Sequence, residues 1–481
     1  MHELPGKHVL VVGLGKSGIA AARFLLSRGA RVTAVDSTSS PDLEAQAKTL
    51  RSLGVQVFLG PPGIADAPFD LVVISPGVPL TLPLLQPLRA RGTPILGELE
   101  LASQHVRCPN VSITGTNGKT TTTELVERML TACHRRTVAA GNIGLPLCEV
   151  ADTADTLDLL TLEVSSFQLE TIHRFRPAIA VLLNIAPDHM DRYASFHQYL
   201  LAKARLFENQ QSYDWAIVQS EALAQLRAAG VGLRAQVVTF SASGAKADLR
   251  LEGNRIVGGF ADGDVTLLDL SRCRLKGAHN AENLMAALAT ARALQLPWPE
   301  VQRALESYDP APHRCEPVGE INGVLFVNDS KATNPHAVAH AIAAMPMSAS
   351  GQPNILLIAG GKEKGLPYGD LGPALAKRVK RAYLLGETRL TLLEAWSRFT
   401  PCVLVGSLLE AVTRAAEEAM AGEIVLLSPA CSSFDMFRDY QHRGDEFRSA
   451  VRRLQPLGLP EFALGSEPTV AGCASTFTNH H

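Results

Sequence analysis

The 481-residue sequence predicts an α/β protein of three domains, each built on a mostly parallel sheet. Three observations predict it. Short apolar runs of strand length alternate with amphipathic helical stretches along the chain. Two of these runs end in glycine-rich loops that lead straight into helices. The strand–helix pattern also restarts twice, near residue 107 and again beyond the proline-bearing connection at 308–316.

The first domain, 1–107, reads as Rossmann-like. It opens with HVLVVGLG (8–15), an apolar strand running into glycines, then a helical stretch from Gly18 to Arg28 and the strand RVTAVD (31–36). DLVVISPG (70–77) adds a further strand. The second domain, 108–312, restarts at VSITGTNGKTTTTELVERML (111–130), which reads strand, loop, helix, the opening of a P-loop ATPase-like sheet. LLTLEV (159–164) and IAVLLN (179–184) follow as buried strands, and HNAENLMAALATARALQ (279–295) as a long amphipathic helix. The third, 313–460, is again Rossmann-like, with strands VLFVND (324–329), NILLIAGG (354–361), RAYLLG (381–386) and EIVLLSP (423–429) and a last helix over roughly 434–454. The segment 461–481 has no periodicity and reads as a disordered tail.

Composition narrows the class. With 46% hydrophobic and 19% charged residues the chain is globular. A net charge of −2 gives no footprint for nucleic acid or a membrane surface, so anionic substrates must be held locally, by backbone N–H groups and a few placed cations. The eight cysteines are scattered without a CxxC pair, which argues against a zinc site or a disulfide framework and fits a reducing cytosol. The apolar stretch at the N-terminus is too short and wrongly flanked for a signal peptide, and no run of about 18 apolar residues is present. A cytoplasmic enzyme, monomeric and acting on small molecules, is expected.

The motifs carry the chemistry. Gly13-Leu14-Gly15-Lys16-Ser17-Gly18 matches GxGxxG, and Asp36 ends the next strand at about the distance of a ribose-binding acid. A nucleotide diphosphate would suit that helix N-terminus; a nicotinamide dinucleotide, or a tight turn without ligand, would use the same residues. The second loop is more specific. Across Gly115-Thr116-Asn117-Gly118-Lys119-Thr120-Thr121, glycines expose N–H groups, Lys119 reaches phosphates and the Thr120 hydroxyl suits Mg²⁺. It predicts ATP. Glu163 ends a strand in the same domain, a place for a carboxylate that holds Mg²⁺ against phosphates. His189 follows the next strand, also at a sheet edge, and alone reads as structural, while Lys203 alone reads as a solvated helix lysine. Asn280 and Asn283 share a helical face and suit either an adenine edge or a capped core. Asp329 and Lys331 follow a strand directly and suit ribose and phosphate contacts or a salt-bridged turn. The Ser and Cys of SPACSSFDMF (428–437) have no visible base, which argues against a nucleophile.

Taken in order, GTNGKTT, GNIGLP (141–146), EVSSFQLE (163–170), NIAPDHMDRY (184–193), HNAEN (279–283), His313-Arg314, DSKATNP (329–335) and SPACSSFDMF resemble the Mur ligase family. The resemblance spans the chain to about residue 455. It implies an ATP-dependent ligase of peptidoglycan precursor synthesis, with the UDP substrate on the first domain, ATP on the second and the amino acid on the third. ATP would convert a substrate carboxylate to an acyl phosphate, which the incoming amine then attacks. Within the family, SPACSSFDMF favours addition of D-glutamate to UDP-N-acetylmuramoyl-L-alanine. By this resemblance Lys119, Glu163, His189 and Lys203 are catalytic. Thr120 and Glu163 belong to one Mg²⁺ site, and His189 with Lys203, carbamylated by CO₂, to a second. Gly115 to Thr121, Asn280, Asn283, Arg314, Asp329 and Lys331 hold ATP. Ser17, Asp36, Gly77, Asn142 and His189 hold the UDP substrate. Thr333, Lys364, Ser433 and Tyr440 hold D-glutamate, with Lys362 an alternative to Lys364. Carbamylation would turn the lysine into the oxygen anion that Mg²⁺ prefers. Ser37-Thr38 departs from the pattern on the uracil side. Folylpolyglutamate synthases share the second and third domains but lack a UDP-binding first domain, and a dehydrogenase reading leaves GTNGKTT, Glu163 and Lys203 unexplained.

Overall fold

The computed structural model describes residues 3–60, 68–244, 246–259, 264–348 and 350–454; the tail at 461–481 lies outside them. The first sheet contains β1 (His8–Val12), β2 (Arg31–Asp36), β3 (Gln56–Leu59), β4 (Leu71–Ile74) and β5 (Ile95–Gly97), all parallel, ordered β3-β2-β1-β4-β5. Its order reverses between β1 and β4, where a doubly wound sheet opens a ligand crevice.

The second sheet contains β6 (Asn110–Thr114), β7 (Thr137–Gly141), β8 (Leu159–Glu163), β9 (Ile179–Leu182), β10 (Trp215–Gln219), β11 (Gln236–Ser241), β12 (Leu249–Glu252), β13 (Arg255–Gly259) and β14 (Asp264–Asp269). They run in the order β14-β13-β12-β11-β10-β9-β6-β8-β7, with the β12–β13 and β13–β14 pairs antiparallel and the rest parallel. The third sheet, β15 (Glu316–Ile321), β16 (Val324–Asn328), β17 (Ile355–Gly360), β18 (Val379–Leu385), β19 (Cys402–Leu404) and β20 (Ile424–Leu427), runs β15-β16-β20-β17-β18-β19, with β15 antiparallel to β16.

The expected strands are the continuous apolar ones. β4, β8, β9, β17 and β20 are buried at every residue, as parallel strands covered on both faces must be. The sequence reading does not foresee β3, β7, β12 or β15, whose residues are largely half-buried or exposed and so lack an apolar run. Helix ends shift for identifiable reasons. The first helix begins at Lys16 rather than Gly18, because Gly13 takes the positive-φ turn (φ 86°) and Gly15 is the N-cap. The last spans Tyr440–Arg453 rather than 434–454, because the Asp439 carboxylate caps it by accepting from His442 N at 2.7 Å.

Packing differs between the two seams. One hydrophobic core runs without a break from the helices of the first sheet (Phe24, Leu25, Leu99) to one face of the second (Leu160, Leu162, Leu182). Glu100, fully buried, reinforces that seam by accepting the backbone N–H groups of His173, Arg174 and Phe175 at 2.9–3.1 Å. The third sheet has its own cores. Between it and the second lies a cavity of about 910 Å³.

Candidate active site

The phosphate loop leaves the carboxyl end of β6 and enters the helix Lys119–Ala132. Gly118 has φ 85°, and a Cβ there would stand 2.3 Å from Asn283 Oδ1, so glycine is required twice over. Asn184, just past β9, fastens the loop: Asn117 N donates to its Oδ1 at 2.9 Å, and its Nδ2 donates to Asn117 O at 3.0 Å. Lys119 Nζ donates to Gly115 O and Thr116 O, both at 2.9 Å. Burial pushes its pKa down, opposed by the charges of Glu163 and Asp188. Asn280 and Asn283 adjoin the loop, with Asn283 Oδ1 accepting from Thr122 Oγ1 at 3.2 Å and Asn283 Nδ2 donating to Asn280 Oδ1 at 3.2 Å.

Glu163 ends β8 beside this loop and is 3% exposed. Its Oε1 accepts from Asn142 Nδ2 at 2.7 Å, while its buried Oε2 has no hydrogen-bond partner. Lys203 corrects the solvated-lysine reading, since it is only 1% exposed. Its Nζ donates to Gly115 O at 2.9 Å and lies 4.7 Å from the Tyr199 ring centroid. Burial, with Lys119 nearby, pushes its pKa far below the usual lysine value. His189 sits in the left-handed region (φ 57°), packed 4.8 Å from the Phe167 ring. Burial lowers its pKa to about 4, against the pull of Asp188, so the imidazole is neutral near pH 7.

The third sheet supplies the opposite wall. Arg314, Asp329, Lys331, Thr333 and Lys364 line the cavity together with Thr116 to Thr121, Asn142, Glu163, His189, Asn280 and Asn283. Burial and Arg314 lower the Lys331 pKa to about 8. Burial raises that of Asp329 to about 7, although its oxygens accept from Ser428 Oγ at 2.9 Å and Cys315 N at 3.1 Å. Lys364 Nζ pairs with Asp188 at 3.1 Å, whereas Lys362 is exposed, so Lys364 is the lysine turned into the cavity. Burial opposes the charge of Asp188, but Lys364, His189 and Lys119 outweigh it and hold the carboxyl below its usual range. Ser433 (2% exposed) and Tyr440 lie outside the cavity wall, Tyr440 under Lys331 Nζ at 3.8 Å from its ring centroid.

Ser17, Asp36 and Gly77 gather at the carboxyl edge of the first sheet. Asp36 fastens the glycine loop, its Oδ2 accepting from Leu14 N at 2.7 Å and its Oδ1 from Thr38 N and Oγ1 at 2.9 and 2.8 Å. The departing residue Thr38 is therefore a clamp on Asp36. Sequence reasoning passed over Asp188, Asn184, Asn334 and the histidines His336 and His340. Their signal was position alone: each lies within or beside a motif at a strand end. Asn334 Nδ2 donates to Asp188 Oδ2 at 3.1 Å and to Asn117 Oδ1 at 3.2 Å, tying the third domain to the phosphate loop.

Three family models cover most of the described chain: Mur ligase MurD-like N-terminal domain at 7–97, Mur ligase middle domain at 113–291, and Mur ligase glutamate ligase domain at 313–431. A relative from Geobacter metallireducens, named UDP-N-acetylmuramoylalanine--D-glutamate ligase, is 42% identical over 455 residues, covering 94% of this chain and 98% of its own. The chain belongs to the Mur ligase family. Ligases of the same name from Acidobacterium capsulatum (43% over 453 residues, 93% and 97% covered) and Myxococcus xanthus (43% over 465 residues, 94% and 99% covered) agree. Among solved structures, the MurF ligase of Thermotoga maritima in complex with ADP shares the fold at TM-score 0.59 and 16% identity, covering 95% of this chain and 100% of that one. The UDP-N-acetylmuramate-alanine ligase of the same organism does so at TM-score 0.57 and 18% identity, covering 93% and 100%.

Proposed function

We propose that this chain ligates D-glutamate to UDP-N-acetylmuramoyl-L-alanine with conversion of ATP to ADP and phosphate. The observation that carries the reading is the single cavity in which the phosphate loop faces Arg314, Lys331 and Lys364. The choice of substrates rests on the relatives named for that reaction.

A substrate carboxylate and a polyphosphate repel each other, and Lys119, Arg314 and Lys331 offset that repulsion. The carboxylate oxygen attacks the γ-phosphorus and ADP leaves. The amine nitrogen of D-glutamate then attacks the acyl carbon, phosphate departs with the electron pair of the broken C–O bond, and the amine proton passes to the departing phosphate. Asn280, Asn283 and Asp329 line this cavity, the asparagines suited to an adenine edge and Asp329 to ribose hydroxyls. Lys364 and Thr333 line the same space with donors suited to the glutamate carboxylates; Ser433 and Tyr440 lie outside the cavity wall and would join as the third domain closes.

The residues fit a magnesium ion. Glu163 Oε2 is buried without a partner, the Thr120 hydroxyl lines the same wall, and His189 is neutral. Bound there, Mg²⁺ supplies positive charge that screens the carboxylate from the phosphates and stabilises the transferring phosphoryl group. Burial pushes the Lys203 pKa well down, which favours the unprotonated amine that adds to CO₂: an N–C bond would form, the amine proton would be lost to solvent and a carbamate anion would result. Such an oxygen donor beside His189 supports a second ion. ATP and a UDP-activated sugar as substrates support a cytoplasmic setting, and no helix among the described residues is long and apolar enough to cross a membrane.

Phosphate release from ATP with UDP-N-acetylmuramoyl-L-alanine, comparing D-glutamate with L-glutamate, L-lysine and meso-diaminopimelate, tests the reading. D-Glutamate is the expected acceptor; turnover with another amino acid but not with D-glutamate overturns it.

A further inference from the structure

We propose that Arg192 is a positioning residue that latches the UDP-substrate loop of the first domain onto the central domain, setting how the substrate's reacting end meets Glu163 and His189. It rests on the reading that the UDP moiety lies against Gly77. The loop Ser75–Val78 follows β4 and packs on the glycine turn, where Ser75 Oγ donates to Gly13 O at 2.8 Å. Arg192 reaches across from the central domain to the carbonyls on either side of Gly77. Its Nη1 donates to Pro76 O at 3.0 Å and its Nη2 to Val78 O at 3.4 Å. The same guanidinium pairs with Glu170 Oε2 at 2.8 Å and stacks 4.2 Å from the Phe167 centroid.

Its other end is equally engaged. Arg192 N donates to His189 O at 3.0 Å, closing the turn that holds His189 at positive φ, and the Phe167 ring beneath the guanidinium also packs on His189. Glu170 is fixed in turn by Tyr193, whose hydroxyl donates to Oε1 at 2.6 Å. One planar fork therefore joins the loop that would hold the nucleotide to the residue that would meet the reacting carboxylate. Lysine has the charge but not the fork, so it can keep the Glu170 pair without spanning both carbonyls.

The test is steady-state kinetics on the whole enzyme with Arg192→Met, Arg192→Lys and Gly77→Val, each checked for an unchanged melting transition. Arg192→Met is expected to raise KM for UDP-N-acetylmuramoyl-L-alanine about tenfold or more while KM for ATP stays within about twofold, with Arg192→Lys between it and the parent. Nothing lies within 4 Å of a Cβ at Gly77, so valine there projects into the open crevice and should raise the same KM alone. If Gly77→Val raises it and Arg192→Met does not, or if Arg192→Met raises both KM values equally, the latch is refuted while the UDP reading stands. If Gly77→Val is silent, the UDP reading fails and takes the latch with it.

Discussion

Replacing Lys203 by methionine should separate stability from activity. Lys203 is 1% exposed, and its Nζ hydrogen-bonds to Gly115 O at 2.9 Å. That carbonyl keeps another donor, Lys119 Nζ, at 2.9 Å, so the exchange orphans no acceptor. The lost hydrogen bond costs about 0.5–1.5 kcal/mol. Removing a buried polar amine returns about 1–3 kcal/mol, and a side chain of similar volume repacks for under about 1.5 kcal/mol. These terms nearly cancel, leaving a stability change within about 2 kcal/mol of zero. Turnover, by contrast, should fall at least about 100-fold, because the proposed carbamate ligand could no longer form. Urea unfolding beside phosphate release measures both, and short carboxylic acids should partly restore the rate of Lys203→Ala by standing in for the carbamate. A variant that loses several kcal/mol of stability yet keeps near-parental turnover would show that Lys203 is a structural prop and refute the reasoning.

Three further outcomes are expected. Glu163→Gln keeps an acceptor for Asn142 but removes the charge, so turnover should drop about 100-fold or more without recovery in excess Mg²⁺ and with little change in melting temperature; recovery at high Mg²⁺ would show that the carboxylate is dispensable. Gly118→Ala must carry a Cβ at φ 85° against Asn283 Oδ1, a conformation that costs about 1–2 kcal/mol before any clash, so KM for ATP should rise by tenfold or more as measured by initial rates. The third concerns pH. His279 of the central domain packs 5.3 Å from His340, which packs 4.4 Å from His336, both on the third-domain helix Pro335–Ala344. Burial pushes His279 and His336 to about 4 and lowers His340, so all three are neutral with the domains together. Freed by separation they return toward about 6.5. The contact is therefore fully favoured above about pH 6.5 and weakened as pH falls toward 4, and KM for ATP should climb over that interval; a climb unaltered in His336→Gln/His340→Gln would discount the cluster.

What could be read in the sequence was what lies close together along the chain. The phosphate loop, the continuous apolar strands and Glu163 at the end of one of them announce themselves within a few residues, because strand geometry and loop chemistry are local. Lys203 did not, since a lysine on a helix gives no sign that its amine ends under a loop eighty-eight residues earlier in the sequence. Strands β12 to β14 were missed because each carries only a short apolar stretch among polar residues, and their antiparallel pairing completes them. Asp188 and Asn334 acquire their meaning only once two domains are laid side by side, a relation that no local pattern encodes. The different settings of Lys362 and Lys364 are of the same kind, since only the pairing of Lys364 with Asp188 sets it in the cavity wall.

The carboxylate of Glu100 has a practical consequence for anyone dissecting this enzyme. A fragment beginning near residue 108 would look complete by its motifs, with the whole phosphate loop, Glu163, His189 and Lys203 intact. It would nevertheless leave behind the acceptor for three consecutive amides at 173–175, each costing about 1–3 kcal/mol if it stays buried and unmet. It would also bare the apolar face that now continues into the first sheet. Recombinant halves are therefore better divided on the other side, at the cavity before β15, where the first two sheets can travel as one piece.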